Sequence, residues 1–216
     1  MQLTERKKKI MVYVIGGIIV GFLLLTAFVI IFQTTFIDKE FSEEIQEHQN
    51  PFLDTAMKFV SWFGYMPNAA LTVLGTCCIF LFYGYKKEAI YLAMSMLSGL
   101  VSTIFKFVIN RPRPAEPLVR IVAKASQQSF PSGHMLFYVV FFGFLTLLMF
   151  QLKNIAVFVR VTVAVISLLL IFVVPFSRIY LGAHWFTDVL GGFLLGLLCL
   201  YLLSFYYLKS PNSKYF

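Results

Sequence analysis

Charge is scarce in this sequence. Asp, Glu, Lys and Arg together make up 13% of 216 residues, against 59% hydrophobic, and the mean hydropathy of +0.82 excludes a water-soluble globule. Cysteine is scarcer still. Cys77, Cys78 and Cys199 all lie inside apolar runs, so neither a disulfide framework nor a zinc site is suggested. No internal repeat is evident, and no Gly/Ser-rich or Pro-rich linker divides the chain. With no room beside the apolar runs for a separate soluble domain, residues 1–216 are expected to form a single integral membrane domain.

Long apolar windows are what the chain does have. They fall at about residues 10–32, 66–83, 88–109, 134–151, 154–174 and 186–208, each near the roughly 20 residues that a spanning helix needs. The expected fold is therefore all-α, a bundle of six transmembrane helices. The first window follows Arg6, Lys7, Lys8 and Lys9, but its apolar run exceeds the roughly 7 to 15 residues of a signal peptide and lacks a small-residue cleavage pattern. It is expected to stay as an anchor.

The basic cluster predicts a cytoplasmic N-terminus, and an even number of spans returns the C-terminus, with Lys209 and Lys214, to the same side. Lys86, Lys87 and Lys153 then fall in cytoplasmic loops. The loops at about 33–65, 110–133 and 175–185 lie outside, yet the last two carry Arg111, Arg113, Arg120, Lys124 and Arg178, against the positive-inside trend. A formal charge of +8 is compatible with nucleic acid, anionic lipid or topology signals. Its spread between cytoplasmic ends and outer loops argues against nucleic acid. The acidic stretch at 33–54, with Asp38, Glu40, Glu43, Glu44, Glu47 and Asp54, reads as an interfacial helix or a solvated face and is assigned no chemistry.

Three groups of residues at the outer ends stand apart. In K-F-V-I-N-R-P-R-P, Pro112 and Pro114 must stop the third span near Asn110 and send the arginines out on a stiff extended segment, with Lys106 about one turn below. Taken alone, Lys106 also fits a lysine whose long stem lifts its ammonium to the headgroup layer. Pro131, Ser132, Gly133 and His134 precede the fourth span. Ser suits an N-cap, Gly admits a ligand to the backbone, and first-turn amides bind anions, although the same string also serves as a plain turn and cap. Ser177 and Arg178 are followed by His184 and Asp188. If a helix already runs at His184, the i, i+4 spacing puts both side chains on one face, and a carboxylate on one ring nitrogen frees the other as nucleophile or base. A polar helix start is the alternative reading of that group.

All three groups fall at the outer ends of spans three to six, a topology drawn without them. Together they supply two His, an Asp, three cations and helix-start amides, which suits phosphoryl transfer. In this order K-x6-R-P, P-S-G-H and S-R-x5-H-x3-D resemble the three signature motifs of the type 2 phosphatidic acid phosphatase (PAP2) superfamily, with every specified position matched, over about residues 60–205. The family holds bacterial phosphatidylglycerophosphate, undecaprenyl pyrophosphate and lipid A phosphatases, with soluble acid phosphatases sharing the site. The resemblance implies an acid-phosphatase-like helical fold and catalytic residues His184 as nucleophile, Asp188 holding it, and His134 as acid and then base. It further implies a phosphate clamp of Lys106, Arg113, Ser132, Gly133 and Arg178.

Near the motifs the acids are Asp188 and Glu116, too few for a metal mechanism, so no metal and no cofactor is expected. The substrate is expected to be a lipid phosphate in the membrane: phosphatidylglycerophosphate, phosphatidic acid or undecaprenyl pyrophosphate. Arg120 and Lys124 fit either recruitment of a headgroup or second phosphate, or simple solvation. Two rivals remain: a non-catalytic binder or exporter of anionic lipid, which has no use for the His184, Asp188 and His134 set, and a lipid phosphotransferase using the same site. The small size and the lack of an organelle signal or N-x-[ST] acceptor point to the cytoplasmic membrane of a bacterium, with both termini cytoplasmic and the site facing out. Oligomeric state has no signature in the sequence.

Overall fold

A computed structural model describes residues 5–210, which form nine helices and no strand. Lys214, expected at the cytoplasmic end, lies outside the described residues. Four helices are each long and apolar enough to cross a membrane: α1 (Glu5–Ile31), α7 (Gly133–Gln151), α8 (Val157–Tyr180) and α9 (Phe186–Lys209). A fifth crossing, Lys86–Ile109, is made of α5 (Lys86–Met94) and α6 (Leu97–Ile109). The apolar α4 (Asn68–Phe82) occupies the second window but has only 15 residues, about 22 Å of a roughly 30 Å hydrocarbon core. Two short helices, α2 (Phe36–Gln46) and α3 (Pro51–Trp62), fill the expected outer loop at 33–65.

Local chemistry explains the boundaries. The α5–α6 break falls at Ser95, whose Oγ donates to the Leu92 carbonyl at 2.6 Å, a back-bond that competes with the helical ladder. Helix α6 ends at Ile109, as the prolines require. Asn110 takes the left-handed conformation at φ 48° and returns its N–H to the Lys106 carbonyl at 2.9 Å. Helix α8 departs from expectation: it continues through Pro175 to Tyr180 instead of ending near 174. Neighbouring helices make an internal proline tolerable in a membrane helix. Ser177 and Arg178 therefore sit in a last helical turn rather than in a loop.

Helix α7 is the axis of the bundle. Its sequence is apolar all round, and 72% of its spanning window is buried against 11% for α1, which leaves α1 facing lipid. It packs on α8, α9 and α6. Where α9 crosses it, a Cβ on Gly192 would fall 2.5 Å from the Ser132 carbonyl oxygen, and one on Gly196 would fall 2.8 Å from Val139 Cβ. Small residues at i and i+4 let backbones approach where close packing, not water exclusion, holds helices together.

The long helices alternate in direction, so α6 and α8 end, and α4, α7 and α9 begin, at one end of the bundle. There α2 packs on α8 and α9, and α3 on α8. Helix α2 is not a uniformly solvated face. Glu40, Glu43 and Glu44 are exposed, but Asp38 is wholly buried. Gln46 straps the 110–132 loop down: its Nε2 donates to the carbonyls of Arg120 (2.9 Å) and Tyr180 (2.8 Å), and its Oε1 accepts from the Arg120 N–H at 3.0 Å.

Candidate active site

At this end α6 delivers Lys106 from its last turn, 5% exposed. Its ammonium is held by the chain itself. It donates to the carbonyls of Gln128 (2.6 Å) and Ser129 (3.2 Å) in the returning loop. Beyond the Asn110 turn, Arg113 donates to the carbonyls of Gln127 and Ala183, and its Nη1 stands 3.3 Å from His184 Nε2. Burial and the nearby Arg178 lower the Arg113 pKa to about 10, so it stays cationic at neutral pH.

His184 lies in the turn between α8 and α9, 2% exposed. Helix α9 begins only at Phe186, with Trp185 as its N-cap, so the i, i+4 helical reading of His184 and Asp188 does not apply. Their proximity survives: Asp188 Oδ2 lies 3.5 Å from His184 Nδ1, close enough for charge, while Nδ1 closes no hydrogen bond. A guanidinium only donates. Its contact with Nε2 therefore requires that nitrogen to accept, which assigns the ring proton to Nδ1, on the Asp188 side. Burial first, then the cations Arg113, Lys106 and Arg178, hold the imidazole well below its ordinary range. A neutral ring with its Nε2 lone pair forward is a nucleophile.

Arg178, 1% exposed, comes from the last turn of α8. Its Nη1 donates to Ser61 Oγ (2.9 Å) and Tyr65 Oη (2.8 Å), and Nε has no partner. His134, in the first turn of α7, meets the Tyr65 ring edge-on at 4.5 Å, and its buried Nε2 is also unpartnered. Gly64 makes room for that ring, since a Cβ there would lie 2.4 Å from His134 Cδ2.

Lys106, Arg113, Gly133, His134, Arg178 and His184 share the wall of one cavity of about 810 Å³. Ser132 does not. Its side chain is wholly buried, its Oγ caps α7 by accepting from Met135 N at 3.5 Å, and its N–H donates to the Asp188 carbonyl at 2.9 Å. Away from the cations the wall is apolar: Met66 and Ala69 at the start of α4, and Met96, Gly99 and Leu100 of α6 and its approach. Met66 and Leu100 are exposed on the bundle's flank, and so are Lys124, Ser126 and Gln127 of the loop, so the cavity opens both sideways, between α4 and α6, and toward the loop. Buried polar atoms without partners are rare. Here His134 Nε2, Arg178 Nε and Ser102 Oγ all belong to residues of this one wall, which marks a place completed by a polar ligand.

Sequence reasoning missed four participants. Tyr65, from the α3–α4 turn, lines the cavity and holds Arg178. Ser129 donates to Asp188 Oδ2. Arg111 and Asp38 are buried behind Asp188. The one available signal is the R-P-R-P stretch: alternate prolines favour a geometry of three residues per turn, in which arginines two apart face different ways. Of the ambiguous residues, Arg120 is bound to the Asp54 carboxylate at 3.1 and 2.6 Å, outside the cavity, whereas Lys124 lines its mouth. Among the described residues, no three His, Cys, Asp or Glu side chains gather as metal ligands.

The family model described as PAP2 superfamily matches residues 87–211. By sequence the chain is similar to an undecaprenyl-diphosphatase of Sulfolobus acidocaldarius, 29% identical over 156 residues, covering 70% of this chain and 69% of that protein. It is also similar to phosphatidylglycerophosphatase B of Bacillus subtilis, 38% identical over 128 residues, covering 56% of this chain and 59% of the other. Its fold superposes on the crystal structure of a transmembrane PAP2-type phosphatidylglycerolphosphate phosphatase from Bacillus subtilis with a TM-score of 0.77, at 24% identity, covering 93% of this chain and 98% of that one. For Aquifex aeolicus LpxE the TM-score is 0.63, again at 24% identity, covering 83% and 99%. The two structures speak to the fold, which is the all-α membrane bundle expected from the sequence; of the six expected spans five are long enough to cross, and the second, α4, is apolar but short.

Proposed function

The chain belongs to the PAP2 superfamily, and on that premise we propose that it releases phosphate from a membrane lipid by way of a phosphohistidine on His184. It is a membrane lipid phosphatase of that family. One observation carries the finer reading: a cavity with three cations and two histidines at its closed end opens sideways through apolar residues that face lipid. About 810 Å³ lies within the range of small-molecule sites and suits a headgroup with the first carbons of its chains.

Lys106, Arg113 and Arg178 would bind the phosphoryl oxygens, with the first-turn amides of α7 beginning at Gly133 in the same wall. His184 Nε2 attacks phosphorus while the bond to the lipid oxygen breaks, and His134 gives its proton to that oxygen. The neutral His134 then takes a proton from water, whose oxygen attacks phosphorus, breaks the P–N bond and frees phosphate. Asp188 steadies the His184 ring as it becomes positive. The scheme needs no metal ion.

The chemistry fits phosphatidylglycerophosphate, phosphatidic acid and undecaprenyl pyrophosphate alike, and turnover of the three side by side ranks them. Brief reaction of purified protein with a radiolabelled lipid phosphate in excess chelator, quenched in alkali, should leave label on His184 and none in His184→Ala. Label mapped to His134 would reverse the assignment, and label that appears only with added magnesium would overturn the metal-free scheme.

The site is proposed to face out of a bacterial cytoplasmic membrane. Lys7, Lys8, Lys9, Lys86, Lys87, Lys153 and Lys209 all lie at the end opposite the cavity, as cytoplasmic loops require. In a background without the native cysteines, Ser126→Cys at the cavity mouth should react with an impermeant maleimide in intact cells. Reaction only after permeabilisation would turn the orientation over.

A further inference from the structure

Behind His184, on the side of Asp188, three charged side chains are buried together. Arg111, Asp38 and Asp188 all have side chains at 0% exposure. Arg111 Nη1 donates to Asp188 Oδ1 at 2.5 Å and to Thr187 Oγ1 at 2.7 Å, its Nη2 donates to Asp38 Oδ2 at 2.6 Å, and its Nε donates to the Gln33 carbonyl at 2.9 Å. The second Asp38 oxygen accepts from the N–H (3.0 Å) and hydroxyl (2.8 Å) of Thr187, the residue beside Asp188. Thr35 fixes Asp38 from the other side through a capping box. Asp188 Oδ2 in turn accepts from the Trp185 N–H at 2.8 Å and from Ser129.

Every oxygen of the carboxylate beneath His184 is thus aimed by a neighbour. Packing alone does not call for this, because well-packed apolar side chains usually hold a core as well as a buried ion triad. The triad also has a sign. Two carboxylates against one guanidinium leave one net negative charge behind the ring, while Arg113 from the loop, Lys106 from α6 and Arg178 from α8 stand on the cavity side with His134 of α7. Negative behind and positive in front keeps the ring proton on Nδ1 and the lone pair forward on Nε2. It also favours the ring cation that forms when Nε2 bonds to phosphorus.

We infer that Arg111 and Asp38 are positioning residues of the reaction: Arg111 aims Asp188 at His184, and Asp38, by sharing Arg111, sets how much negative charge Asp188 keeps for the ring. The α2 segment, which has no chemistry in its sequence, is then part of the enzyme. This rests on reading His184 as the nucleophile.

The test is the pH dependence of kcat/KM, which reports groups of the free enzyme, for purified full-length variants with lipid phosphate in detergent. Asp38→Asn leaves Arg111 to Asp188 alone and brings the charge behind the ring to zero. The acidic limb should move to lower pH by about half a unit to one unit, with kcat down about tenfold and KM little changed. Asp38→Asn combined with Arg111→Gln restores one net negative charge, so its limb should return to the parent position or above. Asp38→Glu, which keeps the charge, should leave the limb in place and lower kcat only; it also serves if Asp38→Asn does not fold.

A structural role alone would lower rate or yield without moving the limb in opposite directions. An unmoved limb in Asp38→Asn overturns the inference, as does a moved limb in Asp38→Glu. His184→Ala is run beside them. If it still turns over, the nucleophile assignment itself has failed; if it is dead while the limbs stay fixed, only the present inference has.

Discussion

At the end of the bundle opposite the cavity, Lys87 and Glu88 are each only 7% exposed, and their charges are answered on the spot. Lys87 Nζ donates to the Ser210 carbonyl at 2.6 Å and lies 4.4 Å from the centre of the Tyr207 ring, whose hydroxyl donates to Glu88 at 3.0 Å. The clasp ties α5 to the last turns of α9. At the cavity end, buried charge is more abundant and less satisfied: Arg178 keeps a free Nε and His134 an unpartnered Nε2. Burial is common to both ends, so burial is not what marks function. What differs is whether the donors and acceptors are used up. A clasp finishes its hydrogen bonds within the chain, whereas the cavity end leaves them for a ligand and positions them with further buried charge.

That contrast can be broken most sharply at Arg113. Arg113→Met should cut kcat/KM by about 10²–10³-fold, since it removes a donor aimed at developing charge. It also has a signature in pH. His184 is held below its ordinary value of about 6.5 partly by this guanidinium, and a protonated ring cannot attack. The parent enzyme should therefore stay active below pH 6.5 and lose activity as pH falls further, and the variant's acidic limb should move up. A limb that stays put would separate the guanidinium from the nucleophile.

A smaller effect is expected from Gly64→Ala. Its Cβ would meet His134 Cδ2 at 2.4 Å, and the displaced ring should cost about tenfold to a hundredfold in kcat on lipid substrates. It should cost less on an aryl phosphate, whose leaving group needs little protonation. Equal losses on both substrates would say that the glycine serves packing only. Least of all is expected at the clasp: Tyr207→Phe should leave kcat/KM within about twofold and lower stability in detergent by only about 0.6 kcal/mol, read from a thermal shift. A large loss of turnover there would erase the distinction between the two ends.

Much of this architecture is written locally. All six apolar windows became helices, five of them long enough to cross, because a membrane forces each segment to satisfy its own backbone. The Asn-Arg-Pro-Arg-Pro stretch stopped α6 where proline chemistry says it must. Lys106, Arg113, Gly133, His134, Arg178 and His184 meet in one wall because the ends of spans three to six converge. What stayed hidden depends on partners far apart in sequence. Asp38 reads locally as the third residue of a capping box with Thr35, and nothing nearby announces that its other contacts are Arg111 and Thr187, 73 and 149 positions away. Arg111 and Arg113 look equivalent in sequence, yet one is spent on carboxylates and the other on the cavity. The fifth window was expected to end near 174, yet α8 runs on through Pro175 to Tyr180, because neighbouring helices support it there. Ser132 is the N-cap that its place before the fourth span suggested, and its buried Oγ lies outside the cavity wall where the resemblance put it.

The sideways opening between α4 and α6 separates two kinds of inheritance. The groups that would do chemistry come from α6's last turn, α7, α8 and the turn into α9, braced by α2, whereas the apolar walls are Met66, Ala69, Met96, Gly99 and Leu100. Changing the width or depth of that gutter touches no charged partner of His184. Under the proposed function, single apolar substitutions there would change which lipid tail fits while leaving the reacting groups in place, and a compound dissolved in the bilayer would reach the site by the same flank.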